Sequence, residues 1–319
     1  MEIPFGAHSL TLTHTDRFMK RFNPIALSLT LSLIGLHSIA SAAENGVVAP
    51  GAKLEKVSGE FQFTEGPAVD RRGNLFFTDQ PNDRIMRLGT DGVMTTFLKP
   101  AGRSNGMYFD RDGNLIACAD EKNELWSISP DGKTTVLLKD YKGKLLNGPN
   151  DVWVRPDNAL YFTDPLYKRP YWHRGEGEQG GEHVYFMTAD RKTVTRVIDD
   201  LKQPNGIIGV PTGKTLYISD IGAGKTYSYS VQNDGKLTDK KLLCDIGSDG
   251  MTLDSRGNVY LTGKGVFVVN SAGKTIEHIE VPEPWTANVA FAGRDRTTLY
   301  ITASKSLYRI KTAVRGYTK

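Results

Sequence analysis

One strand-like sequence recurs six times along this chain, at intervals of about 40 to 56 residues. The copies read NLFFTD, NLIACAD, ALYFTD, TLYISD, NVYLTG and TLYITA and begin at residues 74, 114, 159, 215, 258 and 298. A turn containing Asp, Asn, Gly or Pro precedes each copy, and such residues supply the backbone geometry of a tight hairpin. Repetition at this period is typical of folds in which each unit buries its apolar face against its neighbours.

Each copy is followed by a third strand-like run, and units one to five have a fourth. The third runs cover residues 84–88, 124–128, 183–187, 225–231, 265–269 and 306–310, and the fourth runs include 94–98, 134–138 and 193–198. Unit six ends near Lys311 without a fourth run, whereas an extra run, LEKVS, covers residues 54–58. The pattern predicts an all-β, six-bladed β-propeller whose last blade is closed by the N-terminal strand, which covers an otherwise open sheet edge.

The first 42 residues have the pattern of a leader. Met19, Lys20 and Arg21 form a short basic start, residues 25–39 are apolar, and residues 40–42 read Ala-Ser-Ala. This is the pattern of a bacterial export signal with its cleavage site. The apolar stretch is short for a membrane-spanning helix, which needs about 20 residues, although an anchor or a disordered tail is the alternative.

We therefore predict a leader over residues 1–42, with Met19 as an alternative start, and a single propeller domain over residues 43–319. The protein is expected to be periplasmic or secreted. Its formal net charge of +4 is too balanced to favour nucleic acid or, after signal cleavage, a membrane surface. Cys118 and Cys244 lie in strand-like runs of different repeats, which favours two buried free thiols over a disulfide. The oligomeric state has no signal in the sequence.

A polar residue stands ahead of each repeated strand, ten or eleven residues before an apolar residue of that strand. All six carry a side-chain oxygen and none is His or Cys: Glu65, Asn105, Asn150, Asn205, Asp249 and Asn288. A side chain that recurs in register is expected to face the axis common to all blades. Oxygen ligands that include carboxylates suit a hard cation such as Ca²⁺. We call this set the polar register and predict that it binds a cation on the propeller axis.

The same face of the propeller is expected to carry the ends of the second strands, with Asp79, Asp120, Asp164 and Asp220. Strand-end Asp residues commonly cap loops by accepting backbone N–H bonds, which is the alternative to a role in the site.

The register residues also carry a resemblance to a known family. The matching segments are EGP (65–67), NGM (105–107), PND (149–151), YFTDP (161–165), PNG (204–206), YISD (217–220) and DGM (249–251). With them, residues 60–311 resemble the gluconolactonase/senescence-marker-protein family of six-bladed propellers. The resemblance implies one divalent cation in the central channel, most commonly Ca²⁺ with Zn²⁺, Mn²⁺ or Mg²⁺ as alternatives, held by Glu65, Asn150, Asn205 and Asp249. It also implies an enzyme that hydrolyses a sugar lactone.

Lactone hydrolysis requires charge stabilisation and a base. Attack of water builds negative charge on the carbonyl oxygen, which a divalent cation can stabilise, and a nearby carboxylate can accept the proton. The resemblance implies that Asp249 is this base. Because coordination lowers the proton affinity of a carboxylate, Asp220 is a rival. A serine nucleophile is not expected, since the chain has no G-x-S-x-G segment.

Substrate-binding residues are expected on the same face. Asn105 is expected to contact the substrate or a metal-bound water, whereas Asn288 is expected to be structural. Arg103 and Trp285 lie just ahead of register residues. The long connection at residues 165–182 begins with an aromatic and basic stretch that includes Tyr167, and it is expected to form a lid that stacks rings on a sugar and binds an acidic group; an ordinary surface loop is the alternative.

Two other functions stay open at this point. The same scaffold and cation could serve an organophosphate or aryl ester hydrolase. A non-catalytic propeller that binds a sugar or a protein partner is the third reading, because fold alone does not fix function. Many gluconolactonases also have Glu-His where this chain has Asp120 and Glu121, which leaves a lactone other than gluconolactone open as the substrate.

Overall fold

The computed structural model describes residues 46–317, which fold into six four-stranded sheets arranged as a β-propeller, together with one two-stranded ribbon. The predicted all-β, six-bladed architecture is therefore confirmed. The predicted leader over residues 1–42 lies outside the described residues, so the signal peptide and its cleavage site stay predictions. Across residues 46–317, no helix has the length and apolar character needed to cross a membrane.

Blades one to three follow each other along the chain, with a ribbon before the third. Blade one comprises β2 (Thr64–Val69), β3 (Leu75–Asp79), β4 (Arg84–Leu88) and β5 (Met94–Leu98). Blade two comprises β6 (Ser104–Phe109), β7 (Leu115–Ala119), β8 (Glu124–Ile128) and β9 (Thr134–Leu138). The ribbon consists of β10 (Asp140–Tyr141) and β11 (Lys144–Leu145). Blade three comprises β12 (Val152–Val154), β13 (Leu160–Asp164), β14 (His183–Met187) and β15 (Val194–Ile198).

Blades four to six repeat the same order of inner, second, third and outer strand. Blade four comprises β16 (Pro204–Gly209), β17 (Thr215–Asp220), β18 (Lys225–Val231) and β19 (Leu237–Cys244). Blade five comprises β20 (Met251–Leu253), β21 (Val259–Gly263), β22 (Gly265–Val269) and β23 (Thr275–Ile279). Blade six comprises β24 (Thr286–Ala292), β25 (Thr298–Ala303) and β26 (Ser306–Lys311).

The missing outer strand of blade six comes from the N-terminal side of the domain. β1 (Glu55–Ser58) pairs antiparallel with β26, so the sheet order is β1-β26-β25-β24. Glu55 lies opposite Arg309, and the Arg309 Nε donates to Glu55 Oε2 at 2.8 Å. The predicted closure is confirmed, and it covers the backbone groups that the edge of β26 would otherwise present to solvent.

The Asp-x-x-Gly-Asn sequences form the hairpins between inner and second strands. Asp70 Oδ1 accepts from the backbone N–H groups of Arg72 and Asn74, both at 2.9 Å, and Gly73 has φ of 90°. The turns that begin at Asp110 and Asp254 repeat these bonds. The interpretation of these sequences as hairpin turns is confirmed, because the carboxylates are used by the backbone of their own turns.

The core lies between neighbouring blades, where apolar side chains of the second strands, such as Phe77, Phe162 and Leu261, are buried. Cys118 and Cys244 are both buried and unpaired, as predicted. Because a thiol in this setting behaves as a small apolar group, the two residues contribute packing.

Glycines next to the polar register let the inner strands approach one another closely. A Cβ on Gly206 would lie 2.6 Å from the backbone oxygen of Asp249 in the next blade, and one on Gly66 would lie 2.0 Å from the backbone oxygen of Asn105. Gly106 and Gly250 have equally close neighbours from the following blade. A side chain larger than that of glycine would therefore clash at these four positions. The glycines set how near the register residues come to the axis.

We expect Gly206→Ala to lower the free energy of unfolding by about 1–3 kcal/mol, because the backbone that a Cβ would meet cannot rotate away. Urea unfolding followed by tryptophan fluorescence measures the change. Gly175→Ala is the matched control, since a Cβ there has nothing within 4 Å and neither glycine has a positive φ. Both substitutions reduce unfolded-state entropy alike, so equal stabilities for the two variants would contradict the close-packing interpretation.

Candidate metal centre and active site

The polar register lies where the inner strands begin, and the ladder is irregular there. The register shifts between Glu65 and Ala68 in blade one, and between Ser104 and Met107 in blade two. Blades four and six have the same irregularity beside Asn205 and Asn288. A bulge of this kind turns a side chain out of the normal alternation of the strand. We define the end of the propeller that carries these residues as the register face.

The structure brings register residues of neighbouring blades into contact. Asn205 Nδ2 donates to Asp249 Oδ1 at 2.8 Å, and Asn288 Nδ2 donates to Glu65 Oε2 at 3.3 Å. The backbone oxygen of Asn150 accepts from Gly106 N–H at 2.7 Å. Five of the six are buried, and Asp249 is partly exposed. Four of the six side chains are thus joined in two hydrogen-bonded pairs, and the charge of Asp249 acts on Glu65 between the pairs. We call the register residues at this end the polar cluster.

Two amide oxygens in this cluster have no hydrogen-bond partner among the described residues. Asn105 Oδ1 and Asn205 Oδ1 are both buried and unpaired. An unsatisfied buried acceptor is costly, and in native proteins it commonly has a ligand, an ion or a water. Both oxygens are suited to a hard cation. Over residues 46–317, no three His, Cys, Asp or Glu side chains gather as a metal site, which agrees with a donor set made of two carboxylates and amides.

The electrostatics of the cluster also fit a cation. Burial and the nearby Asp249 carboxylate raise the pKa of Glu65 well above its usual value. Burial likewise raises the pKa of Asp249 to about 6, against the opposing effect of hydrogen bonds from Trp285 and Asn205. Buried carboxylates that face each other resist ionisation unless positive charge is close. A divalent ion would supply that charge, so the residues present fit the group that the resemblance implies.

Asp151 is a further buried carboxylate that the sequence analysis left without a role. Its Oδ1 accepts from Val152 N–H at 2.9 Å, and burial raises the pKa of its carboxyl to about 8. The Asp151 carboxylate raises the pKa of Glu65, and the Asp249 carboxylate raises the pKa of Asp151. The sequence does contain a signal for this residue. In blades one, two, four and five the residue after the register residue is Gly, whereas blade three has Asp.

Tyr167 and Trp285 reach the cluster directly. Trp285 Nε1 donates to Asp249 Oδ2 at 2.6 Å, and Asn205 Nδ2 donates to the Tyr167 hydroxyl at 2.9 Å. Both carboxylate oxygens of Asp249 therefore accept a side-chain hydrogen bond. Two residues that the sequence analysis expected at the substrate lie against Asp249 and Asn205.

Arg103 lies at the edge of the register face, away from the cluster. Its Nη1 donates to the backbone oxygen of Pro81 at 2.8 Å, and its guanidinium carbon lies 4.6 Å from the ring centroid of Tyr171. Glu121 is 3.6 Å from its Nε. The described contacts of Arg103 are with the lid residue Tyr171 and with blades one and two.

The lid, residues 165–182, is fastened to Asp120. The carboxylate of Asp120 accepts from Arg169 Nε at 2.8 Å and from the Tyr171 hydroxyl, while its backbone oxygen accepts from Trp172 Nε1 at 2.9 Å. Burial raises the pKa of this carboxyl against the effect of Arg169. Asp120 therefore holds an aromatic and basic segment over the register face.

Asp220 has a different environment from Asp249. Its carboxylate accepts from the backbone N–H groups of Lys202 and Gln203, both at 2.9 Å, and of Ala223 at 3.2 Å. Asp79 and Asp164 likewise accept backbone N–H bonds from the loops beside them. These three backbone donors tie the Asp220 carboxylate to a loop. The role of Asp220 as a rival base stays a prediction.

Residues 63–305 match the model of the SMP-30/gluconolactonase/LRE-like region. The chain belongs to this family. The gluconolactonase of Zymomonas mobilis is 26% identical over 344 aligned positions, which cover 98% of this chain and 95% of the relative. The solved gluconolactonase of Xanthomonas campestris superposes with a TM-score of 0.78 at 27% identity, over 86% of this chain and 93% of that one.

A third comparison bears on the fold alone. The calcium-binding protein regucalcin from Agrobacterium tumefaciens superposes with a TM-score of 0.69 at 20% identity, over 84% of this chain and 96% of that one. The family and the lactonase type of enzyme predicted from the sequence are confirmed by the matched region and by the lactonases among its relatives.

We expect the unfolding free energy of the metal-free protein to fall as the pH rises from about 4 to about 8. Glu65, Asp151 and Asp249 have pKa values above the ordinary range, so the folded state holds protons more tightly than the unfolded state in this window. The stabilisation from these protons is fully present below the ordinary carboxyl pKa. It is lost as the pH rises through each raised pKa. Each carboxylate contributes up to about 1 kcal/mol per pH unit.

Urea unfolding at several pH values, with chelator and with added Ca²⁺, measures this dependence. Bound Ca²⁺ is expected to remove the loss and to raise the unfolding free energy by about 3 kcal/mol at a concentration 100 times its dissociation constant. Asp151→Asn is expected to flatten the metal-free curve. A metal-free stability that does not change between pH 4 and 8 would contradict the inferred environment.

Proposed function

We propose that this member of the family is a divalent-cation-dependent lactonase that opens a sugar lactone at the register face. The observation that carries the proposal is the pairing of two unsatisfied amide oxygens, on Asn105 and Asn205, with the carboxylates of Glu65 and Asp249. Ca²⁺ is the proposed ion because every donor is oxygen. Zn²⁺ is the poorer alternative, since it commonly takes nitrogen or sulfur ligands.

Glu65, Asn150, Asn205 and Asp249 would hold the ion, with Asn105 beside them. When bound, a divalent cation would polarise the lactone carbonyl and stabilise the negative charge that develops on its oxygen. Asn288 has a supporting position, because its amide nitrogen donates to Glu65 and its amide oxygen accepts from Val289 N–H.

Asp249 is the proposed base for the attacking water. Burial raises its pKa to about 6 in the metal-free site, and a bound cation would lower it again, so the carboxylate would be ionised at neutral pH and able to accept a proton. Trp285 and Asn205 donate to its two oxygens and fix the plane of the carboxylate. Asp220 is the weaker candidate because its lone pairs are engaged by backbone N–H groups.

Tyr167 is positioned to bind the lactone. Its hydroxyl oxygen accepts from Asn205, which leaves the hydroxyl proton available to donate to a substrate oxygen. Burial raises the pKa of Tyr167, so this proton is retained at neutral pH. Trp285 offers an apolar ring at the opposite side of Asp249, and Arg103 offers a cation at the edge of the face for an acidic substituent.

We expect Asp249→Asn to lower kcat for lactone hydrolysis by about 10²- to 10⁴-fold, because the amide cannot accept the proton. A panel of sugar lactones, read with a pH indicator, measures hydrolysis by metal-free protein and by protein loaded with Ca²⁺, Mg²⁺, Mn²⁺ or Zn²⁺. Chelation is expected to abolish turnover and Ca²⁺ to restore it. Turnover that is indifferent both to chelation and to Asp249→Asn would refute the proposal.

Two further variants test whether Asp249 or Asp220 is the base. Asp220→Asn is expected to lower the unfolding free energy while the folded protein keeps its turnover, because it loosens a loop cap. Asp234→Asn, in the exposed turn between β18 and β19 at the other end of the propeller, is the matched control and is expected to leave both unchanged. A larger loss of kcat from Asp220→Asn than from Asp249→Asn would reverse the assignment of the base.

We also propose that the protein is exported. The basic, apolar and Ala-Ser-Ala segments of the leader support a periplasmic or secreted location. N-terminal sequencing of protein recovered from the producing cells is expected to begin at Ala43. A mature chain that begins at Met1 or Met19 would contradict export by cleavage.

A further inference from the structure

A cavity opens at the end of the propeller opposite the register face. It has a volume of about 570 Å³ and occupies the axial channel below the inner strands. We call this end the hairpin face, because the turns that join inner to second strands surround it. Small-molecule sites typically have volumes of about 300–1,000 Å³, so the space is sufficient for a ligand.

Apolar side chains form the larger part of the walls of this cavity, and polar groups form the rest. Side chains from five inner strands contribute, including Met107, Trp153, Ile208, Leu253 and Phe291, and all five are buried. At its inner end the cavity meets Asp151 and Asn288, so it stops at the polar cluster. A ligand that enters from the hairpin face would therefore place an apolar body against these walls.

The mouth of the cavity carries five arginines: Arg71, Arg111, Arg155, Arg294 and Arg296. Four of them are held by carbonyl oxygens of a neighbouring blade or turn. Arg155 Nη1 donates to the backbone oxygen of Gln232 at 3.3 Å. Arg71 Nη2 donates to the backbone oxygen of Arg111, Arg111 Nη1 donates to that of Pro156 at 2.7 Å, and Arg296 Nη2 donates to that of Asp70. Carbonyls position a guanidinium without neutralising it.

Few acidic side chains pair with the arginines at the mouth of the cavity. Among the described residues, Arg155 is the one arginine of this set in an ion pair, with Asp157 at 2.9 Å. Asp110 also lines the cavity, but its carboxylate accepts bonds from its own turn. A guanidinium has five N–H donors, and the carbonyl contacts use one or two of them. The remaining donors match the geometry of a carboxylate or sulfonate.

We propose that this cavity binds an amphipathic organic anion, with its apolar body against Trp153 and Phe291 and its anionic group on the arginines at the mouth. The site is distinct from the proposed lactonase centre, because it opens at the other end of the propeller and takes its charged groups from the hairpin turns; the two adjoin only at Asp151 and Asn288, where the cavity ends. Arg294 is the best single probe of the site, since it is exposed and makes no hydrogen bond or ion pair with the described residues.

Isothermal titration calorimetry of the calcium-loaded protein with octane-1-sulfonate tests the proposal. Octyltrimethylammonium, with the same chain and the opposite charge, is the matched ligand control. We expect saturable one-to-one binding of the sulfonate and at least about tenfold weaker binding of the ammonium, which corresponds to the loss of one charge-assisted contact. Absence of saturable sulfonate binding, or equal binding of both amphiphiles, would overturn the proposal.

Amino-acid substitutions test whether the sulfonate binds in this cavity. Arg294→Glu is expected to weaken sulfonate binding by about tenfold or more, while Arg72→Gln, in the same turn as Arg71 but outside the cavity, leaves it unchanged. Thr252→Trp, at a half-buried position in the wall, is expected to abolish binding by filling the cavity. Sulfonate binding that survives Arg294→Glu would show that the arginines serve only to join blades.

The lactonase assay separates this proposal from the previous one. Arg294→Glu is expected to keep lactone turnover, because Arg294 lies at the hairpin face, and Asp249→Asn is expected to keep sulfonate binding. Loss of sulfonate binding in Asp249→Asn would place the ligand at the register face and would overturn the second site.

Discussion

The close approach of the inner strands at the register face governs the rest of this structure. A glycine after the register residue in four blades allows the backbone of one blade to touch that of the next. With the backbones this close, the register side chains of adjacent blades come into contact. Carboxylates and amides are thereby buried together, and a buried group of this kind needs either protons or a cation to offset its charge. The metal binding that we propose would thus be a consequence of the packing of the blades.

The difference between Asp249 and Asp220 illustrates how environment assigns chemistry to identical side chains. Asp220 accepts from backbone N–H groups and fixes a loop. Asp249 accepts from the side chains of Trp285 and Asn205 within the polar cluster and has a pKa raised to about 6 by burial. The backbone donors hold the Asp220 carboxylate in place. The second environment leaves a carboxylate that can exchange a proton near neutral pH.

Much of the fold could be predicted from the sequence because its signals are local. Turn residues such as Asp70 and Asn74 and the apolar runs beside them mark the hairpins directly, and the spacing of Glu65 and its counterparts marks the axis. Asp151 could not be assigned in the same way, because its role depends on burial between blades. The attachment of the lid to Asp120 and the arginines at the hairpin face depend on which loops meet in space, and no short segment of sequence records this.

The pairing of β1 with β26 joins residues that are some 250 positions apart in the chain, since Glu55 lies opposite Arg309. The ring cannot close until the last blade exists, so a chain emerging from the ribosome or from a translocon keeps its first strand unpaired throughout synthesis. Such distant pairing slows folding, because loop-closure entropy is lost before any contact compensates it. Once β1 and β26 are paired, the two ends of the domain restrain each other.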